Sequence, residues 1–298
     1  MAEAPAAGPA LRPAPATPLL ERVLRRDRVA VCVALAAVLV LSWAWLLTGA
    51  GMGMSAVDAT RASQRELLDD AAPVGAEAPT GMGAAMGMDL PSAWTPRYAA
   101  IMLVMWWVMM IAMMLPSAAP MILLFAAVNR RQRERGGMAV PTALFAGTYL
   151  AVWGLFSLVA VLAQWALQAA EWLSPVLVSR SHVVGGALLL IAGAYQLMPL
   201  KQACLRHCRA PLAFVTMHWR SGLGGAVSMG LRHGAFCVGC CGILMAPLFV
   251  GGVMNLWWIV GLALFVLMEK VVPAGHWLGR AVGGALLAAG AGWLLAAG

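Results

Sequence analysis

Long apolar runs, broken by short polar or glycine- and proline-rich connections, set the pattern of this chain. The runs cover residues 29–50, 98–125, 140–168, 183–199, 225–252, 255–272 and 281–297. Most approach or exceed the roughly 20 residues a helix needs to cross a bilayer; the last is short and rich in Gly and Ala. The pattern predicts an all-α protein, a polytopic transmembrane helix bundle with about seven spans. Residues 1–28 are rich in Ala and Pro, end in the basic run "ERVLRRDR", and read as a disordered cytoplasmic arm. Residues 29–50 read as a retained first transmembrane helix of signal-anchor type, since a cleaved signal has an apolar region of only about 7–15 residues. Residues 51–97 form an external Met/Gly-rich loop, and 98–298 the membrane helix bundle with the Cys and Met motifs. Residues 211–223 are too short to span and suit the inner interface. Small residues four apart, such as Ala143, Gly147 and Ala151, or Gly230 and Gly234, suit close helix packing.

Composition agrees with this reading. The 298 residues are 62% hydrophobic and 11% charged, against about 45–50% and 25% for a soluble domain. A net charge of +8 would point a soluble protein toward nucleic acid; here the basic residues are read as topology signals, and no nucleic-acid partner is expected. Arg12, Arg22, Arg25, Arg26 and Arg28, then Arg130, Arg131, Arg133 and Arg135, then Lys201, Arg206, Arg209, Arg220 and Arg232 fall on one side of the predicted topology, as do Lys270 and Arg280. That side is cytoplasmic, and with it the N-terminus. Six cysteines in such a chain do not make a disulfide scaffold, and their crowding points to metal or redox chemistry.

The densest group lies in "RHGAFCVGCCGILMAP", residues 232–247. On a helix His233, Cys237, Cys240, Cys241 and Met245 share one sector, because residues three and four apart face the same way. Thiolate and thioether select Cu(I), while thiolate with imidazole also suits Zn(II). The alternative is that these cysteines are small hydrophobes in a packed interior. In "KQACLRHCRAP", Cys204 and Cys208 are one turn apart near Lys201, Arg206 and Arg209, whose charge favours thiolate. In "IMLVMWWVMMIAMMLPSAAPM", Met102, Met105, Met109 and Met113 form one ridge, and Met110, Met114, Ser117 and Met121 the next. Such stripes are ordinarily flexible core packing. Met52, Met54, Met82, Met86 and Met88 in the external loop give them a second reading, as soft ligands that gather Cu(I) outside the membrane. Pro116 and Pro120 suggest a kink. Glu269 is a candidate ligand, proton acceptor or helix-pairing group, whereas Lys270 suits snorkelling to the interface.

"MWWVMMIAMMLPSAAPM", "CLRHC", "FCVGCCGILM", "GVMNLWW" and "LMEKVVP", in that order, resemble a bacterial domain-of-unknown-function family described as predicted metal-binding integral membrane proteins. The resemblance runs from about residue 97 to 284 and implies a helical membrane domain, placed in the bacterial inner membrane. Its implied ligands are Cys204, Cys208, Cys237, Cys240 and Cys241. The chain departs in having Gly242 where an aromatic often follows the paired cysteines. The expected function is binding or handling of a soft transition metal, Cu(I) first and Zn(II) second, for transport, storage or delivery. The site residues are Cys237, Cys240, Cys241, His233, Cys204, Cys208, Met109, Met113 and Glu269. The partners are the lipid bilayer, the metal ion, and a metallochaperone or neighbouring membrane enzyme. No phosphate-binding loop is present, so an ATP-driven pump is not expected. The rival readings are a membrane thiol–disulfide redox protein, with Cys237 and Cys240 as its pair, and an accessory subunit of a larger membrane complex.

Overall fold

The computed structural model describes residues 18–70, 94–136, 138 and 140–297. The described residues are all-α, with a lone bridge between Leu173 and Ser179 as their only β pairing. In chain order the helices are α1 (Pro18–Leu47), α2 (Ala56–Asp70), α3 (Pro96–Glu134), α4 (Thr142–Ala169), α5 (His182–Leu197), α6 (Pro199–Arg209), α7 (Pro211–His218), α8 (Gly222–Cys241), α9 (Leu248–Gly251), α10 (Leu256–Val271) and α11 (Gly275–Leu295). Met82, Met86 and Met88 lie outside the described residues.

Four described helices are long and apolar enough to cross a membrane: α1 from Arg28, α3, α4 and α11. Two bent pairs raise the number to six if each is one span, and the expected seven is not reached. The first is α5 with α6, bent by 63°. Met198 is extended (φ −69°, ψ 144°) because Pro199 crowds a helical conformation at the residue before it, and Pro199 then starts α6 at its first position. The second joins α8 to the segment 243–251 with a 51° bend after Cys241. There a 3₁₀ turn, Ile243–Met245, takes over, and the segment stops at Gly252, whose φ of +96° suits glycine. The second break lies inside the apolar run 225–252, where periodicity alone did not reveal it, whereas the first falls at the end of the run 183–199, where the polar α6 begins.

The helices pack through glycines. Across α5 and α11, a Cβ on Gly290 would come within 2.8 Å of the Gly186 carbonyl, and one on Gly193 within 2.9 Å of the Gly283 carbonyl. Across α4 and α8, Gly230 approaches the Phe145 carbonyl and Gly234 approaches Val152. By contrast Gly147 has no such neighbour, so the Ala143–Ala151 stripe is not a tight seam. Instead Ala143 and Gly147 line an apolar groove of about 630 Å³ between α1, α3 and α4.

At one end α2 lies over the bundle, where the Thr60 hydroxyl accepts from the Leu256 N–H at the start of α10. Met52 and Met54, expected in an exposed loop, are half-buried and pack against the core. Residues 211–218, expected to lie along an interface, form α7 with Phe214 and Val215 buried. Helix α3 runs unbroken past Pro116 and Pro120, and both of its methionine ridges are buried.

Replacing Gly290 with Val is expected to destabilise the protein by about 1–3 kcal/mol through overpacking. Gly292→Ala, whose Cβ meets nothing within 4 Å, should be neutral or slightly stabilising. Thermal unfolding followed by helical circular dichroism checks both; equal midpoints would show that the α5–α11 contact does not set stability.

Candidate metal centre

Helix α8 carries the centre because of its register. His233, Cys237, Cys240 and Cys241 are all buried on it, spaced by four, three and one residues. The thiols of Cys240 and Cys241 both donate to the Cys237 carbonyl, at 3.2 and 2.9 Å. From there the two sulfurs diverge. Cys240 faces α6, with its sulfur 3.9 Å from that of Cys208. Cys241 faces α3, with its sulfur 3.7 Å from the Met114 thioether.

The sulfurs of Cys208, Cys237 and Cys240 lie within 4.8 Å of one another. Cys208 is half-buried as a residue, yet its sulfur is enclosed with the others. Three sulfurs each about 2.3 Å from one ion would stand about 4 Å apart, so the set fits a soft cation after small adjustments. Six free cysteines are described and none is in a disulfide.

Cys237 is the most heavily contacted of the three. The Tyr149 hydroxyl lies 3.2 Å from its sulfur, and Lys270 Nζ donates to it at 3.1 Å. Lys270 Nζ also donates to Ser117 Oγ at 3.0 Å, and Ser117 donates onward to the Met114 carbonyl. Lys270 does not snorkel: it is only 7% exposed and points into the centre. Sequence reasoning missed its role, along with those of Tyr149 and Met114. The signal was present in "MEK", where neighbouring residues on a helix point about 100° apart, so only one of the two can face a given side.

Glu269 takes the other side. It is 1% exposed, paired with Lys201 of α6, and accepts from Gln196 Nε2 of α5 at 3.1 Å. Gly279 makes room for it, since a Cβ there would sit 2.5 Å from Glu269 Oε1. Lys201 is fully buried and also lies over the Phe265 ring. At the far end of α6, Arg209 donates to the carbonyls of Val272 and Pro273, each at 2.7 Å. The helix bearing Cys208 is thus tied to α10 at both ends.

The remaining expected residues sit apart from the three thiols. Cys204 is half-buried, with its sulfur against Gly239. Met109 and Met113 are buried in the core beside the centre's helices. His233 is 3% exposed among Phe145, Tyr149 and Phe214, and its Nδ1 has no hydrogen-bond partner among the described residues. A buried ring nitrogen without a partner, one turn from Cys237, adds an unused donor to the neighbourhood.

A family model described as "PpoB2: Copper chaperone" matches residues 103–293, more than half of the chain. No curated protein and no solved structure matches. The matched stretch contains every group of the centre.

The Lys201–Glu269 pair generates a test of how Cys208 is held. Lys201→Met strands the Glu269 carboxylate, and a loss of about 3–5 kcal/mol is expected on unfolding. Lys201→Met with Glu269→Leu should regain most of it, because replacing both partners of a buried pair is often near neutral. Denaturant unfolding of the two variants is the measurement; equal losses would mean the pair does not act as a unit.

Proposed function

We propose that this chain, which belongs to the PpoB2 copper chaperone family, is an integral membrane protein that binds Cu(I) as cargo through Cys208, Cys237 and Cys240 and delivers it to a partner. Copper handling follows from the family together with a cluster of cysteines able to hold a metal. The observation that carries the finer reading is the meeting of three enclosed sulfurs from α6 and α8 within 4.8 Å. A three-sulfur site with no carboxylate among its ligands suits a soft ion such as Cu(I).

The membrane part of the proposal is supported by four to six helices of spanning length and composition. Helix α10, at 16 residues, is the candidate that would bring the count to seven. The bias of Lys and Arg supports a cytoplasmic N-terminus, and the proposed location is a bacterial inner membrane. The Met114 thioether beside Cys241 supplies a neutral sulfur next to the thiols, and the buried methionines of α3 continue from it. Cargo would arrive along that wall, rest in the thiol cluster, and leave past Cys204, the half-buried thiol one turn along α6. The receiving partner is a copper-requiring enzyme or a metallochaperone.

Anaerobic purification with a reductant, followed by elemental analysis, tests the binding step. Wild type is expected to retain about one copper per chain. Cys208→Ser, Cys237→Ser and Cys240→Ser together should reduce that at least tenfold, whereas Cys241→Ser alone should leave most of it. Equal copper in wild type and the triple variant would remove the assignment. Reversible loss of two thiols without metal would favour redox exchange instead.

A further inference from the structure

Lys270 brings a buried positive charge to the centre that metal ligation does not use. Its Nζ lies 3.1 Å from Cys237 Sγ, and its side chain is buried. Ser117 Oγ on α3 accepts a second N–H at 3.0 Å, which holds the ammonium against the sulfur rather than toward water. Burial of a lysine is costly unless it is paired, so the placement needs an explanation beyond packing.

We infer that Lys270 is the specificity-determining residue of the centre, an internal cation that makes the cluster select a monovalent over a divalent metal ion. The inference rests on the reading of Cys208, Cys237 and Cys240 as the cargo site. With the same three thiolates, the complex as a whole carries a net charge of −2 around Cu(I) and −1 around Zn(II). An ammonium in contact with one of them therefore stabilises the Cu(I) complex more, and the difference is large because the site is buried, where charges are screened less than in water. Sulfur ligands alone do not make this distinction sharply, since three thiolates are also a good zinc set. The fixed positive charge adds what ligand softness lacks.

The roles of the neighbouring groups differ. Tyr149 offers a neutral hydroxyl to the same sulfur at 3.2 Å and does not discriminate by ion charge. The Lys201–Glu269 pair is internally balanced, with Gln196 on the carboxylate, so it adds little net field. Lys270 is left as the charged contact that tells one complex from the other.

The test uses the full chain, purified anaerobically, with Cu(I) and Zn(II) each titrated against a competing chelator. In Lys270→Met the preference for Cu(I) over Zn(II) is expected to fall at least tenfold relative to wild type. Lys270→Gln, which keeps polarity without charge and guards against a folding defect in the first variant, should fall similarly. Lys270→Arg, which keeps the charge, should hold the ratio close to wild type. A purely structural lysine predicts that both ions weaken together. An unchanged ratio in Lys270→Met and Lys270→Gln overturns the inference while leaving copper binding intact. Wild type that binds no Cu(I) overturns the cargo site and this inference with it.

Discussion

A charge in an apolar interior has to meet a partner, and helix α10 places two buried charges side by side. Glu269 and Lys270 are both buried, and they point to different neighbours. Glu269 draws in Lys201 from α6 and Gln196 from α5, while Lys270 reaches Ser117 on α3 and Cys237 on α8. Five helices are therefore located by two consecutive residues. An ordinary hydrogen bond contributes about 1 kcal/mol net, but stranding one member of a buried pair costs about 3–5 kcal/mol. Sliding α10 by one residue would leave both charges unpaired, so the penalty for a wrong register far exceeds the gain from any single packing contact. The position of Cys208 relative to Cys240 depends on this register, because α6 is tied to α10 at Lys201 and again at Arg209.

Glycine makes those polar contacts reachable. Gly279 leaves the space that the Glu269 carboxylate fills, and Gly239 leaves the space beside Cys204. Gly239 also accepts at its carbonyl from the Tyr195 hydroxyl, which joins α5 to α8 near the thiols. Further along α8, Gly230 and Gly234 let α4 approach until Tyr149 comes within 3.2 Å of Cys237. One helix thus uses its small residues on two sides to bring neighbours close, and its sulfurs on another to meet them. The abundance of glycine in this chain is matched by a function at these positions, though Gly147 and Gly284 meet no neighbour.

The all-α class was legible, because apolar runs of such length admit little else. Much of the α8 cluster was legible too: four-, three- and one-residue steps put His233, Cys237, Cys240 and Cys241 on one sector of any helix. What the helix period does not contain is the partner. Cys204 and Cys208 look alike in the sequence, yet the 63° bend at Met198 and the two ties of α6 bring Cys208 to the cluster and leave Cys204 beside Gly239. Lys270 was read as snorkelling because closeness to a helix end is visible in a sequence and the direction a side chain faces is not. Met52 and Met54 show the same limit, since a glycine-rich segment reads as open loop until α2 folds over it. Met114 was recognised in one of two methionine ridges, but nothing in the sequence sets it apart from Met109 or Met113 of the adjacent ridge; only the cysteine that faces it does.

Under the proposed delivery function, the distribution of sulfur has a consequence for direction. The thioethers of α3 are neutral and hold Cu(I) loosely; the thiols of α6 and α8 can carry charge and hold it more firmly. Cys241 lies where the two kinds meet, touching Met114 on one side and the Cys237 carbonyl on the other. An ion entering from the methionine side would therefore move toward stronger ligands at each step, without an energy source. Leaving is the harder step, because the cluster is the strongest site on the path. Release needs an acceptor whose thiols or imidazoles compete with it, and the accessible approach is along α6, where Cys204 is half-buried one turn from Cys208. A chaperone built in this way transfers its cargo by exchange with the receiving protein, because free dissociation into water would forfeit all three sulfur contacts at once.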